Sequence, residues 1–570
     1  MNYNNNNMRK YIISIGLGIL SMIVLVGCDS ILNKDPLDRF TNSNFWTSSA
    51  NAEGYANTFY NEFTGYGNSG GTGLFYFMTL SDDQAGNNFT DWSQKNNLTI
   101  NTTWSGAYTE IRRANVMIEN VPNIKETDAV KNHWIGVARL MRAYEYFRLV
   151  RMFGDVPYAD KSLDITDDGI LYGPRTNRDQ VMDNVLEDLN FAVANINDVS
   201  SKITWSRNMA QAMKADICLY EGTFRKYRKS GDGQPAPDAA GATKFLTECK
   251  TACSAIMDKY TLNASYQGNY NSIDLSGNPE MIFYKAYKQT TFVHSLIAYI
   301  CSSTQISGMS MDAFNAYLFT DGKPLALTGE DKNVIAPMGA DGLLSLETML
   351  SVRDKRLSGT IDPVLMYVGN TYARAGGMAM TSSTGFGVCK YDNITIPVDY
   401  RRNTSSNYTH APLFWLSVVY LNYAEACAEL GSITDADLDK SINKLRDRAG
   451  LPHLSTTVGF DDPANNHGVS SLIWEIRRER RCELMFDNWF RYWDLIRWHQ
   501  LDKLNSAMYP NILLGADVRN DPACTAPMVG TNIDGSKGMV RDFDKKYYLY
   551  PVPSGQVDLN PQLNPNNPGW

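Results

Sequence analysis

Apolar residues recur at i, i+3, i+4 and i+7 through two long blocks of this chain, and that period restricts its fold more than any other feature. In the first block the spacing predicts helices over 43–63, 103–120, 129–152, 177–196, 205–227 and 242–260. In the second it predicts helices over 412–430, 435–448, 469–486 and 489–504. Many of these are joined by short Gly, Pro or Asp turns, the pattern of stacked antiparallel helical hairpins. Small and aromatic residues mix at Ala143-Tyr144, across 212–220 and across 423–428, which lets paired helices approach closely. The expectation is a mainly α fold: a tetratricopeptide-like helical-hairpin scaffold carrying long irregular, partly β insertions. The strict tetratricopeptide signature itself is absent.

Between the blocks, over 263–410, the helical period dissolves. A short β-like run at 281–287 alternates with Gly-, Asn- and Ser-rich stretches such as 373–387. A second irregular stretch fills 65–101. Long polar loops on rigid helices are the layout of a binding protein. The expected organisation is a signal segment over 1–27, an N-terminal helical region over 28–262 with a binding loop at 65–101, an irregular insertion over 263–410, and a C-terminal helical region over 411–570. The whole of 28–570 is expected to form one structural body.

The first residues set the compartment. Arg9-Lys10 precede an apolar run that ends at Leu25-Val26-Gly27-Cys28. A basic start, an apolar core and a small residue before the cut describe a secretory signal. A cysteine directly after that glycine is the bacterial lipobox, so Cys28 is expected to be acylated and to become the mature N-terminus. The run is shorter than the ~20 residues of a membrane span; an uncleaved N-terminal anchor is the competing reading. Nothing after Val26 is apolar and long enough to span a bilayer.

Net charge is −8, with 43% hydrophobic and 20% charged residues. This balance is that of a globular chain and lacks the basic footprint a nucleic-acid binder needs. Of nine cysteines, Cys218, Cys427 and Cys482 fall inside apolar helical patterns, and Cys249 and Cys253 share one helix face, so no disulfide framework emerges. The six histidines are scattered, which predicts no metal centre, and no cofactor is expected.

Two patterns suggest catalysis and are better read otherwise. Gly67-Asn68-Ser69-Gly70-Gly71 matches G-x-S-x-G but lies in a Gly/Asn-rich loop, without the strand before and helix after that a nucleophile elbow requires. Arg477, Arg478, Glu479, Arg480, Arg481, Glu483, Asp487, Arg491, Asp494 and Arg497 crowd one predicted hairpin. Nearly every acid there has an arginine within four residues, which predicts an ion-pair lattice tying the hairpin together, not a pair of catalytic carboxylates. The sequons, from Asn88 to Asn407, carry no glycosylation signal in a bacterial chain.

Aromatics in the irregular segments point to a ligand. A flat ring pairs with the C–H face of a pyranose while Asn and Asp bind its hydroxyls. Trp92 lies near Asp82, Asp83, Asn87, Asn88 and Asp91; Tyr287, Phe292, Tyr299 and Tyr317 punctuate the second segment. The candidate ligand-binding set is therefore Trp92, Asp83, Asn87, Asn88, Tyr287, Phe292, Tyr299 and Tyr317.

An ordered series of motifs resembles the SusD/RagB family of outer-membrane nutrient-binding lipoproteins. It runs from Asn44-Phe45-Trp46 through Trp104, Tyr108, Ile111, Ala114 and Asn115, then Arg142-Ala143-Tyr144 and Phe153-Gly154-Asp155-Val156-Pro157. It continues with Asn422-Tyr423-Ala424-Glu425-Ala426, Glu479-Arg480, Glu483-Leu484, Tyr550-Pro551-Val552-Pro553 and Asn564-Pro565-Asn566-Asn567-Pro568-Gly569. Trp415-Leu416 and Gly136-Val137-Ala138 depart from the family pattern. The resemblance implies a non-catalytic glycan-binding lipoprotein facing the cell exterior. It implies oligosaccharide capture for a SusC-like TonB-dependent transporter, with the lipid on Cys28 and the stretch over 30–38 as tether and hinge. It also allows the same fold to capture peptides or another non-glycan nutrient.

Overall fold

The computed structural model describes residues 45–75, 81–86, 98–300, 308–339, 342–488 and 490–570. Its longer helices are α1 (Ser49–Ala56), α2 (Thr102–Asn120), α3 (Asp128–Phe153), α4 (Arg178–Asn195), α5 (Arg207–Tyr227), α6 (Ala239–Ser254), α7 (Leu416–Glu429), α8 (Ile442–Ala449), α9 (Ser471–Glu483) and α10 (Phe490–Arg497). Side-chain caps start most of them. Asn101 accepts from the backbone of Thr103 and Trp104 at α2, and Thr127, Ser206, Asp238 and Ser470 open α3, α5, α6 and α9.

Packing follows chain order: α2 on α3, α3 on α4, α4 on α5, α5 on α6. The next partner of α6 is α7, which in turn packs on α9, so the insertion interrupts the chain but not the helical stack. Gly222 in α5 explains one close approach. A Cβ there would lie 2.7 Å from Leu246 Cγ and 3.0 Å from Leu246 N in α6. Among the described residues one large core of buried apolar side chains runs from Trp46 to Leu563, with a small separate cluster of Leu318, Ala449 and Leu451.

The mainly α expectation holds, with differences at the ends of elements. Residues 411–415 form a strand, not the start of a helix. Ala411–Trp415 pairs antiparallel with Met281–Lys285, and Trp415 then opens α7 from extended backbone. The bulky Leu413-Phe414-Trp415 run suits a pleated surface. Helix 435–448 is broken into Asp435–Asp439 and α8, because Ser441 leaves the helical region and turns its hydroxyl back onto Asp437 O at 2.5 Å. Positive φ at Phe486 and Asn488 separates α9 from α10. The remaining described strands form small antiparallel ribbons: 84–85 with 308–309, Ile361–Met366 with Gly385–Val388, Tyr372–Arg374 with Met378–Met380, and a three-stranded sheet over 514–534.

The charge cluster over 477–497 is a lattice, but it reaches far beyond its own hairpin. Residues Glu475 to Glu483 are all buried, so each charged head meets whichever element faces it. Arg477 pairs with Glu429, Arg478 with Asp462, Glu479 with Arg356 and Arg446, and Glu483 with Arg356 and Arg448. Arg481 takes Asp82, Asp83 and Asp312, Arg491 takes Asp82, and Arg497 takes Glu425. Within the hairpin run Arg478–Glu475, Arg480–Asp494 and Arg497–Asp494. The helix pair is thus bolted to the insertion and to the first loop.

Candidate functional site

The two irregular segments, more than 200 residues apart in sequence, form one surface. Tyr287 donates its hydroxyl to Gly67 O at 2.7 Å. Ser69 N donates to Val293 O at 2.6 Å, Ser295 N to Gly71 O at 3.0 Å, and the Ser295 hydroxyl to Ser69 O at 2.7 Å. The 84–85 and 308–309 strands add a second seam. Ser405, at the far end of the insertion, donates its backbone N–H to Ser295 Oγ and meets Ser69 Oγ at 3.2 Å.

Aromatic rings stack outward through this seam. Tyr66 is fully buried and lies parallel to Tyr287, centroids 6.3 Å apart. Tyr287, 5% exposed, stacks on Phe292 at 5.1 Å with 13° between planes. Phe292 is 38% exposed and ends the stack at the surface. It is presented by a tight turn in which Lys288 and Phe292 exchange backbone hydrogen bonds of 2.8 and 2.9 Å, with Thr290 at φ 66°. Lys285 Nζ sits 5.4 Å from the Phe292 centroid and donates to Phe63 O at 3.0 Å and Thr64 O at 3.2 Å. Burial pushes this lysine down to about 8. Asn68, Gly70, Gln289, Thr290 and Thr404, on the loops that meet at this seam, are exposed. A rigid, half-exposed ring among hydroxyl and amide groups can stack a sugar and bind its hydroxyls.

The structure divides the candidate residues. It brings Tyr287 and Phe292 together, and Tyr299 is half-buried on the short helix Leu296–Ile300 just beyond them. Asp83 and Tyr317 do not join that surface. Asp83 is 2% exposed, with its carboxylate 2.8 Å from Arg481 Nε, because an acid beside a buried arginine is drawn inward as its counter-ion. Tyr317 is 0% exposed, its hydroxyl donating to Cys482 O at 3.3 Å. Both are structural in this fold. Trp92, Asn87, Asn88 and the lipobox Cys28 lie outside the described residues. Sequence reasoning missed Lys285, Ser69 and Ser405, whose proximity to the ring depends on contacts that no local pattern encodes.

Ser69 is not a nucleophile. Among the described residues no strand leads into it and no helix directly follows it, and its hydroxyl faces Ser405. The buried carboxylates of α9 and α10 are all held by arginines. Glu425 is held down to about 2, against the cost of burial, chiefly by the charge of Arg497.

Comparison with known proteins agrees with this picture. A model described as the SusD family matches residues 308–570, and one described as starch-binding associating with outer membrane matches residues 37–219. A SusD-like protein, P38, of Formosa agariphila is 25% identical over 497 residues, covering 84% of this chain and 90% of the relative. The solved structure of a SusD-like carbohydrate binding protein from Bacteroides fragilis superposes with a TM-score of 0.67 at 21% identity, covering 91% of this chain and 100% of that one. A second solved structure, titled as holding xylogluco-oligosaccharide, gives a TM-score of 0.56 at 17% identity, covering 92% of this chain and 97% of that one. The family models at both ends, the ordered motifs and the shared fold agree: the chain belongs to the SusD/RagB family.

Proposed function

We propose that this chain is a lipoprotein, acylated at Cys28 and facing the cell exterior, that captures oligosaccharides and delivers them to a SusC-like TonB-dependent transporter. The observation that carries the reading is the stack Tyr66–Tyr287–Phe292, whose outermost ring is 38% exposed where the two loops join. Tyr287, Phe292 and Tyr299, with Trp92, Asn87 and Asn88 of the first loop, are the residues proposed to bind the ligand. The xylogluco-oligosaccharide held by a protein of the same fold supports a glycan as ligand. The lipid tethers the body, residues 28–570 act as one unit, and the helical scaffold carries the loops over the transporter.

The test is calorimetric titration of a soluble form lacking residues 1–28 against plant, microbial and host glycans, with Phe292→Ala and Trp92→Ala beside it. Binding of one glycan class, weakened in either variant, is the expected result. Binding of peptides with no glycan response sinks the glycan reading. Co-purification of a barrel transporter with the tagged, lipidated chain tests the partner.

A further inference from the structure

Adjoining the first loop through Gly65 and Leu74 is a cavity of about 300 Å³ between α3, α5 and α10. Its wall includes Tyr144, Phe147, Arg151, Tyr220, Phe490 and Trp493. Arg151 closes the last turn of α3. Its guanidinium carbon lies 4.3 Å from the Trp493 ring centroid and 4.9 Å from that of Phe147. Its Nε is buried without an acceptor, and no hydrogen bond or ion pair joins the Arg151 side chain to any described residue.

The other cations of this wall are matched. Arg148 has Glu62 at 2.8 Å and Glu145 at 2.9 Å, Arg480 has Asp494 at 2.8 Å, and Arg497 has Glu425 at 2.6 Å. Arg151 has no ion-pair partner of its own, and burial lowers it to about 10, with Tyr144, Tyr220 and Glu145 offsetting only part of the lost hydration. A second donor is idle beside it: the Tyr220 hydroxyl, on a residue 5% exposed, has no partner among the described residues. The cavity's unpaired acid, Asp216, accepts from Asn422 Nδ2 at 2.5 Å, and its charged neighbours are Arg480, Asp494 and Arg497. A partly buried guanidinium lying over aromatic rings, with N–H groups that bond no described side chain, is how proteins present arginine to carboxylate or sulfate.

We infer that this cavity is a second small-ligand site, for a molecule of one sugar-sized ring bearing a carboxylate or sulfate. The anion meets Arg151, a ring hydroxyl meets Tyr220, and the ring face lies against Phe490. The volume is at the lower end for small-molecule sites. The site is separate from the Phe292 surface, so its existence does not depend on which glycan that surface takes.

The experiment is titration of the full-length chain in detergent with galacturonate, galactose 6-sulfate, galactose and sodium sulfate. Both charged sugars are expected to bind at least tenfold tighter than galactose or sulfate alone. Arg151→Met keeps the packing on Trp493 and is expected to abolish that preference, and Tyr220→Phe to weaken binding several-fold. Equal binding of galactose overturns the inference, as does sulfate binding as tightly as the sugars, retention in Arg151→Met, or no binding of either charged sugar. If Arg151→Met does not fold, diffraction from wild-type crystals soaked with galacturonate decides: a carboxylate on Arg151 supports the site, and electron density elsewhere or nowhere overturns it.

Discussion

Lys390 Nζ lies 2.8 Å from each carboxylate oxygen of Asp487, and neither side chain reaches solvent. Lys390 Nζ also donates to Met485 O at 2.8 Å, and Tyr391 donates to Asp487 at 3.1 Å. This pair fastens the end of the insertion to the turn between α9 and α10. Asp487→Asn strands a buried ammonium and is expected to cost about 3–5 kcal/mol. The double change Lys390→Met/Asp487→Leu is expected to cost much less, because it removes both desolvated charges together. Urea unfolding of the two variants checks the contrast.

Phe292→Ala is expected to weaken glycan binding about tenfold, near the ~1.5 kcal/mol upper value of an aromatic contact. The ring is half-exposed, so the thermal midpoint is expected to stay within a degree or two. Tyr287→Phe removes the hydroxyl bond to Gly67 O and is expected to cost about 1 kcal/mol of stability. Calorimetry paired with thermal melts separates the binding effect from the structural one.

Gly222→Ala is expected to destabilise by about 1–3 kcal/mol through overpacking. The added methyl would meet the backbone nitrogen of Leu246 as well as its side chain, so α6 itself must shift. A paired Leu246→Ala change relieves only the side-chain clash, and denaturant midpoints of the single and double variants show how much remains.

His294 ties stability to pH. It is fully buried; Leu296 N donates to its Nδ1 at 3.2 Å, so Nε2 carries the proton toward Thr409 O at 3.1 Å. Burial lowers it from 6.5 to about 3. Between those values the unfolded chain binds the proton and the folded chain does not, so stability is present above pH 6.5 and falls with acid, by about 1.4 kcal/mol per pH unit. Glu145 acts in the opposite sense: burial raises it from 4.5 to about 8, so its cost grows as pH climbs between them. The wild-type profile sums both. The difference between wild type and His294→Gln isolates the histidine, and is expected to shrink steadily from pH 6.5 to pH 4. A flat difference would contradict the assignment.

Helices were legible because one face of each is apolar at a regular spacing, and α2 to α5 keep the expected bounds within two residues, whereas α6 begins at Ala239 and already ends at Ser254. The strand at 411–415 was not, since its apolar run also fits a helix and only the partner 281–285 decides between them. The arginine-rich hairpin was legible as paired but not as to partners. Helical spacing reveals neighbours three or four residues away, whereas Arg481 reaches Asp82 and Asp83 some 400 positions earlier. Asp83 and Tyr317 sit in loop-like sequence yet belong to the interior, for burial is set by what folds over a residue. Phe292 was identified by its type, but its stacking on Tyr287 was not.

The interrupted helical stack has a consequence for how the protein is made. The face of α6 that meets α7 is complete once Ser254 is synthesised, yet its partner begins only at Leu416. At roughly 5–20 residues per second, that apolar face waits on the order of ten seconds for its cover. The chain therefore passes through a long interval with an uncovered apolar edge, open to wrong pairings until α7 is available.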